Sequence, residues 1–407
     1  MKYVIVGSSA AGIGAVEGLR KIDQQGSITV ISDEPHHTYS RPLISYLLMG
    51  KTTREKMKYR TDSFYADNNC TLLYGKAIKI EPQNKQVILE DGGVIPYDKL
   101  LVAAGSSAFI PPFKGLENVS GKFTFMSLDD AAALEKALSL SKRVLIAGAG
   151  LIGLKCAEGI LNLVKGVTVL DLAPKILSSI LDDEGAALVQ THLENKGVEF
   201  RLDCNIKSFD GNSAILSDDE VIHFDILVLA VGVRPNTALL SDIAEIDRGI
   251  VINGKSETNV PDIYAAGDCT QAIDVSSGQS KVMALLPNAY MQGECAGINM
   301  AGGETCFRKA MPMNAIGFFG LHVITAGNYT GEVYCENAGE NYKRLFYSDN
   351  KLNGYILIGN VEKAGIYTSL IREWAPLDSI DFPLICENPG LVAFTKEDRI
   401  RKLGGVQ

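Results

Sequence analysis

Two short, mostly apolar runs, Tyr3-Val4-Ile5-Val6 and Arg143-Val144-Leu145-Ile146-Ala147, each lead at once into a glycine-rich turn and then a stretch of helical periodicity. An unbroken apolar run of this length reads as a strand buried on both faces, as in a parallel sheet. The pattern predicts a strand over Lys2 to Val6 and a helix over Gly12 to Ile22, with Gly14, Ala15 and Gly18 on the side that approaches the sheet. Second strands follow at Ile28 to Ser32 and Val167 to Leu170. Hairpin-like alternation comes next, over Thr71 to Pro96 with turns at Gln83-Asn84-Lys85 and Asp91-Gly92-Gly93, and over Glu199 to Phe224 with a turn at Asp210-Gly211-Asn212. Each stretch closes on an apolar strand ending in Ala-x-Gly, at Ala103-Ala104-Gly105 and Ala230-Val231-Gly232. The same order of elements therefore occurs twice, which is an internal duplication. Beyond it lie strand-like runs at Ala315 to Phe319, His322 to Ala326, Tyr342 to Tyr347 and Leu352 to Ile358, then a helix-like stretch from Val361 to Glu373. The tail from 376 to 407 shows no clear pattern.

The two turns are Gly7-Ser8-Ser9-Ala10-Ala11-Gly12 and Gly148-Ala149-Gly150-Leu151-Ile152-Gly153. A small-residue turn between a parallel strand and a helix lets backbone N–H groups and the positive helix end meet a pyrophosphate. Two such turns imply two dinucleotides. Ser9 replaces the middle glycine of the first, and is small enough to sit beside a phosphate. Carboxylates stand where a ribose is expected: Asp33-Glu34 after the second strand of the first copy, and Asp171 after that of the second. Asp171 would accept from ribose hydroxyls and repel a 2′-phosphate, favouring NADH over NADPH; the alternative is a carboxylate that caps a neighbouring turn. A third signal, Ala265-Ala266-Gly267-Asp268, ends a short strand with an aspartate that can take a hydroxyl of a ribityl chain.

Composition narrows the class. The 407 residues exceed one core, 46% are apolar, and the net charge of −9 gives no overall basic field for nucleic acid or acidic lipid. Eight cysteines are scattered without a CxxC or a metal-like cluster, which suits reduced thiols. No apolar run reaches the roughly 18 residues of a membrane span. A soluble, cytoplasmic protein with no metal site is expected. The five histidines, His36, His37, His192, His223 and His322, show no partner pattern that demands catalysis.

These motifs resemble the flavin-dependent pyridine nucleotide-disulfide oxidoreductases of the glutathione-reductase-like fold. Tyr39-Ser40-Arg41-Pro42-Leu43, Gly232-Val233-Arg234-Pro235-Asn236 and Pro287-Asn288-Ala289-Tyr290-Met291-Gln292-Gly293 look most like NADH:rubredoxin reductases, oxygenase-type ferredoxin reductases and the flavoprotein part of nitrite reductases. The resemblance implies an α/β fold: two Rossmann-like, three-layer ββα dinucleotide-binding domains plus a C-terminal α+β interface domain. It implies a discontinuous FAD domain (1–113 and 241–308), an inserted NAD domain (114–240) and a C-terminal domain and tail (309–407) through which two copies could pair. FAD would meet Gly7, Ser9, Ala10, Ala11, Gly12, Asp33, Glu34, Arg41, Pro42, Ala77, Ala104, Gly105, Gly267, Asp268, Leu286 and Pro287. NAD(H) would meet Gly148, Gly150, Leu151, Ile152, Gly153, Asp171 and Gly232.

Two departures from the family matter. The segment Tyr39 to Leu48 holds no cysteine where the thiol-disulfide members carry theirs, so a disulfide relay is not expected. Lys155 stands where many relatives have a glutamate close to nicotinamide and flavin, and reads either as a neighbour of those rings or as a surface ion pair. The resemblance then implies electron transfer from NADH through FAD to a small iron protein, a rubredoxin, a ferredoxin or an iron–sulfur subunit, or the reverse. The alternatives are an NADH oxidase or peroxidase, and an NADH-sensing interaction protein resembling apoptosis-inducing factor.

Overall fold

The computed structural model of the chain describes residues 1–403, and by its internal contacts the chain forms two compact units. Unit 1 comprises Met1–Pro174, Gly197–Ile273 and Ser280–Ala310; unit 2 comprises Lys175–Lys196, Asp274–Gln279 and the chain from Met311 onward.

Unit 1 holds two five-stranded parallel sheets. The strands are β1 (Lys2–Val6), β2 (Ser27–Ser32), β3 (Cys70–Tyr74), β4 (Lys99–Val102), β5 (Lys122–Phe123), β6 (Arg143–Ala147), β7 (Gly166–Leu170), β8 (Val198–Arg201), β9 (Ile226–Leu229) and β10 (Ile263–Ala265). The first sheet runs β10-β4-β1-β2-β3 and the second β5-β9-β6-β7-β8, every neighbouring pair parallel. Four strands correspond one to one, so the duplication read in the sequence is a duplication of topology. Each copy also carries a three-stranded antiparallel meander, at Ala77–Pro96 and Ile206–His223. The hairpin reading at Thr71 was one strand too generous, because β3 joins the parallel sheet beside β2.

The chain leaves the first copy through Ser106–Ala108 and returns through Val233–Pro235, and these two short strands pair antiparallel. The return ends when β10 adds to the first sheet beside β4.

Helix α1 (Ala10–Ile22) corrects one expectation. Its glycines pack not on the sheet but on α4 (Leu286–Met300): a Cβ on Gly14 would stand 2.3 Å from the Tyr290 carbonyl oxygen, and one on Gly18 2.3 Å from that of Glu294. Reciprocally, Gly293 and Gly297 abut the backbones of Ala11 and Ala15. Small residues on both helices let the two backbones approach, at the cost of lower helix propensity.

Unit 2 is built on a five-stranded antiparallel sheet ordered Met313–Phe318, Leu321–Gly327, Lys351–Ile358, Asn341–Ser348 and Glu332–Ala338. Helices Ala364–Arg372, Phe382–Glu387 and Lys396–Leu403 follow, the last two in the described part of the tail that the sequence left unread. Tyr355, Tyr367, Leu370 and Ile385 form part of its core. Helix α3 (Asp183–Glu194), which in sequence falls inside the second copy, belongs to unit 2. Its cap residue Asp182 accepts from the Gly185 N–H (2.8 Å), the Tyr342 hydroxyl (2.6 Å) and Arg344 Nη1 (2.8 Å).

The glycine packing makes a test. Alanine in place of helical glycine normally stabilises by up to about 1 kcal/mol, but a Gly293 Cβ would lie 1.9 Å from the Ala11 oxygen. Gly293→Ala should therefore lower the melting temperature measured by calorimetry, overpacking costing about 1–3 kcal/mol. Gly365→Ala, on an exposed helical position with nothing within 4 Å, should not lower it.

Candidate functional site

The two glycine turns share one steric solution. A Cβ on Gly7 (φ +113°) would stand 2.1 Å from the Ala103 oxygen, and one on Gly148 (φ +116°) 2.2 Å from the Ala230 oxygen. Each turn thus crosses the end of the neighbouring strand without room for a side chain. Helix α1 and helix α2 (Leu151–Ile160) then begin from Ser9 and Gly150 without a side-chain cap. By contrast Ser127 and Asp130 form a reciprocal capping box on Leu128–Ala137. The first-turn N–H groups of α1 and α2 are therefore left available to an anion.

At the first turn lies a cleft of about 560 Å³. Gly7, Ser9, Ala10, Ala11, Asp33, Glu34, Arg41, Ala77, Ala104, Gly105, Gly267, Asp268 and Leu286 all line it. Three further candidates do not. Gly12 packs beneath the turn, where a Cβ would lie 2.1 Å from the Gly7 oxygen; Pro42 faces solvent; Pro287 sits in the first turn of α4 but not on the cleft wall. The uncapped start of α4 reaches the cleft through Leu286 and Ala289.

Polar groups are fixed at both ends. Tyr39 is buried; its hydroxyl donates to Glu34 Oε2 (2.6 Å) and accepts from the Leu128 N–H (2.9 Å). Arg41 pairs with Glu34 Oε1 and donates to the Met126 carbonyl (3.2 Å). Glu34 is thereby neutralised locally, while Asp33 stays exposed. At the other end Ser106 Oγ donates to Asp268 Oδ2 (3.3 Å), yet burial raises the Asp268 carboxyl above the ordinary aspartate range. A half-buried carboxylate with one weak hydrogen bond is a site that lacks a donor. Cys269 beside it is inert, its thiol turned to the Val102 and Ala266 carbonyls and pushed up to about 12 by burial. No cysteine lines the cleft.

Sequence reasoning named Asn236 only as part of a motif, but the structure makes it a staple. Its Nδ2 donates to the Ala104 carbonyl (2.8 Å), its N–H to the Gly105 carbonyl (3.0 Å), and its Oδ1 accepts from Ser107 Oγ (2.7 Å). Asn236 and Ser107 both line the cleft. Only the strand pairing Ser106–Ala108 with Val233–Pro235 could have found them.

At the second turn, Asp171 accepts from the Ala149 N–H (2.6 Å) and the Ala173 N–H (2.8 Å). It braces the turn, and its fixed charge sits beside Gly148 and Gly150. Gly153 packs under the turn as Gly12 does, with a Cβ position 1.9 Å from the Gly148 oxygen; Leu151 and Ile152 open α2; Gly232 (φ +126°) begins the return crossing. Lys155 pairs with buried Glu158 and places Nζ 4.6 Å from the Tyr46 ring centre. A second cleft of about 510 Å³ lies around the N-terminal halves of β6 and β7, away from this turn. His36, His192 and His223 are engaged by Asp129, the Phe318 carbonyl and Ser213. Among the described residues no group of His, Cys, Asp and Glu is arranged to hold a metal ion, and no helix is long and apolar enough to cross a membrane.

Comparison with known proteins agrees with this geometry. The model of the pyridine nucleotide-disulphide oxidoreductase family matches residues 1–293. The chain belongs to that family. It is therefore an oxidoreductase, and membership implies use of FAD and NAD(H). Residues 312–375 match the rubredoxin NAD⁺ reductase C-terminal domain. The NADH-dependent phenylglyoxylate dehydrogenase subunit epsilon of Aromatoleum evansii is 31% identical over 385 residues, 91% of each chain. The nitrite reductase [NAD(P)H] of Bacillus subtilis is 30% identical over 92% of this chain, which spans 48% of that relative's length. In fold, the covalent putidaredoxin reductase–putidaredoxin complex superposes with a TM-score of 0.87 at 22% identity, covering 100% of this chain and 99% of that one.

The Asp268 environment predicts a pH dependence. Because its carboxyl is raised in the folded state, it contributes stability that is present at low pH and lost as pH rises through the folded value. In FAD-free protein, Asp268→Asn should raise the urea midpoint above about pH 4, the ordinary carboxylate range, and the gap should close below it. A wild type as stable as the variant at neutral pH would contradict the reading.

Proposed function

We propose that the chain passes electrons from NADH through FAD, held in the 560 Å³ cleft, to a small iron protein: a rubredoxin, a ferredoxin or an iron–sulfur subunit. The observation that carries this is the cleft itself. It joins an open helix N-terminus, an under-satisfied, half-buried carboxylate and a walled slot, with no thiol on its lining. The backbone N–H groups of Ala10 and Ala11 would hold the pyrophosphate. Asp268 would take a ribityl hydroxyl, which supplies the donor it lacks. Asp33 is the acid left open for the adenosine ribose, since Glu34 is committed to Arg41 and Tyr39. The start of α4 would direct its positive end at the flavin ring.

Bound FAD supplies the hydride acceptor and releases electrons one at a time. The protein's own part is positioning. The paired crossing strands and Asn236 hold the two dinucleotide turns in one compact unit, and Asp171 places a fixed negative charge where a 2′-phosphate would approach. With no thiol on the cleft wall, electrons would leave the cofactor directly. The relative from Aromatoleum evansii is named as a subunit of an NADH-dependent dehydrogenase, which supports a fellow subunit as one form of the acceptor. An oxidase is the competing reading, and a carrier panel separates the two.

With purified holoprotein, NADH should reduce added rubredoxin or ferredoxin faster than it consumes oxygen, and alkylation of accessible cysteines should leave that rate largely intact. Steady oxygen consumption unaffected by any carrier would instead establish an oxidase.

NADH should be preferred over NADPH in kcat/KM, and Asp171→Ala should narrow the ratio by about tenfold, equivalent to ~1.4 kcal/mol. Equal wild-type values for the two would remove Asp171 from this role.

A further inference from the structure

Away from the cleft, two thiols and a guanidinium converge on one glycine. Cys295 is buried on α4, whereas Cys306 is exposed on the segment that follows it. Cys295 Sγ lies 3.6 Å from the Gly254 carbonyl oxygen and 3.6 Å from that of Thr305. Around the point where a Cβ on Gly254 would stand, Cys306 Sγ lies at 3.9 Å and Arg308 Nε at 3.8 Å. The peptide groups flanking Cys306 are tied into the same cluster: the Phe307 N–H donates to the Gly254 oxygen (2.8 Å), and the Thr305 oxygen faces Cys295. Asn299 clamps the arrangement. Its Nδ2 donates to the Thr305 carbonyl (2.9 Å) and contacts Cys295 Sγ (3.4 Å), while its Oδ1 accepts from the Thr305 N–H (3.0 Å).

We propose that Cys306 and Cys295 form a peroxide-reactive thiol pair, a modification site separate from the flavin cleft, in which Cys306 is oxidised first and Cys295 closes the disulfide. Exposure suits Cys306 to meet the oxidant first, losing its thiol proton as it reacts. Its sulfur attacks one oxygen of hydrogen peroxide, the O–O bond breaks, hydroxide leaves, and Cys306 becomes a sulfenic acid. The Cys295 sulfur then attacks the Cys306 sulfur, its proton leaves with the displaced oxygen as water, and the S–S bond forms. Two thiols are oxidised and one peroxide is reduced to two waters. Burial raises the Cys295 thiol, so it does not compete for peroxide and acts only on its neighbour.

The sequence makes the test direct. No Lys or Arg lies between Lys281 and Arg308, so both cysteines fall on one tryptic peptide. FAD-loaded protein is treated with dilute hydrogen peroxide, alkylated and digested without reductant. The peptide 282–308 should lose two hydrogens and take no alkyl group, and dithiothreitol should reverse this. Cys295→Ser should leave a dimedone-trappable sulfenic acid at Cys306. Cys306→Ser should leave Cys295 reduced, with flavin content and circular dichroism verifying that each variant is folded. Exposed Cys335 provides the comparison for general reactivity. A wild-type peptide that stays fully alkylated while Cys335 oxidises would overturn the proposal. So would Cys306 passing to sulfinic acid without cross-linking, or oxidation of Cys295 in the Cys306→Ser protein.

Discussion

The architecture of unit 1 rests on a contact between backbones. Where each first strand turns into its helix, the glycine passes so near the end of a neighbouring strand that a Cβ would fall about 2 Å from a carbonyl oxygen, at Gly7 over Ala103 and again at Gly148 over Ala230. A second glycine, Gly12 or Gly153, closes under the turn against the first. These contacts hold strand, turn and helix at an angle that points uncapped N–H groups out of the sheet. Both the packing and the open N–H groups follow from that one geometry. No side chain can replace it, since any atom at the Cβ position would force the strands apart.

The rest of the site is arranged around the first of these junctions. Helix α4 packs its glycines against α1 and thereby brings its own open N-terminus to the same cleft. Arg41, Tyr39 and Glu34 tie the loop after β2 to Met126 and Leu128, on the chain that leads into the second sheet. Ser106 and Asn236 do the same at the paired crossings. The walls of the cleft proposed for the flavin are thus also the links between the two copies, which suits a transfer that depends on holding two rings together.

Much of this was legible in the sequence because backbone constraints leave residue signatures. Glycine turns, buried apolar strands and the Ala-x-Gly endings mark both sheets, and thirteen of the sixteen FAD candidates reach the cleft wall. What escaped depends on tertiary choice. Gly14 and Gly18 reveal a close approach but not its partner, so the helix α4 was mistaken for the sheet. The strand Glu332–Ala338 is almost wholly exposed, and without alternation it leaves no period to read. Helix α3 has an ordinary amphipathic sequence, and only its cap, Asp182 held by Tyr342 and Arg344, shows that it belongs to unit 2. Lys155 was ambiguous because a lone cation does not reveal its counter-ion; Glu158, one turn along, lies buried against it.

The most direct measurement is an anaerobic titration of FAD-loaded protein with NADH, followed by flavin absorbance. Reduction should be complete at about one NADH per flavin, with NADPH far slower, since one hydride carries both electrons the flavin accepts. A flavin that dithionite bleaches but NADH does not would contradict the account, because the two dinucleotide turns would then not be joined in one electron path.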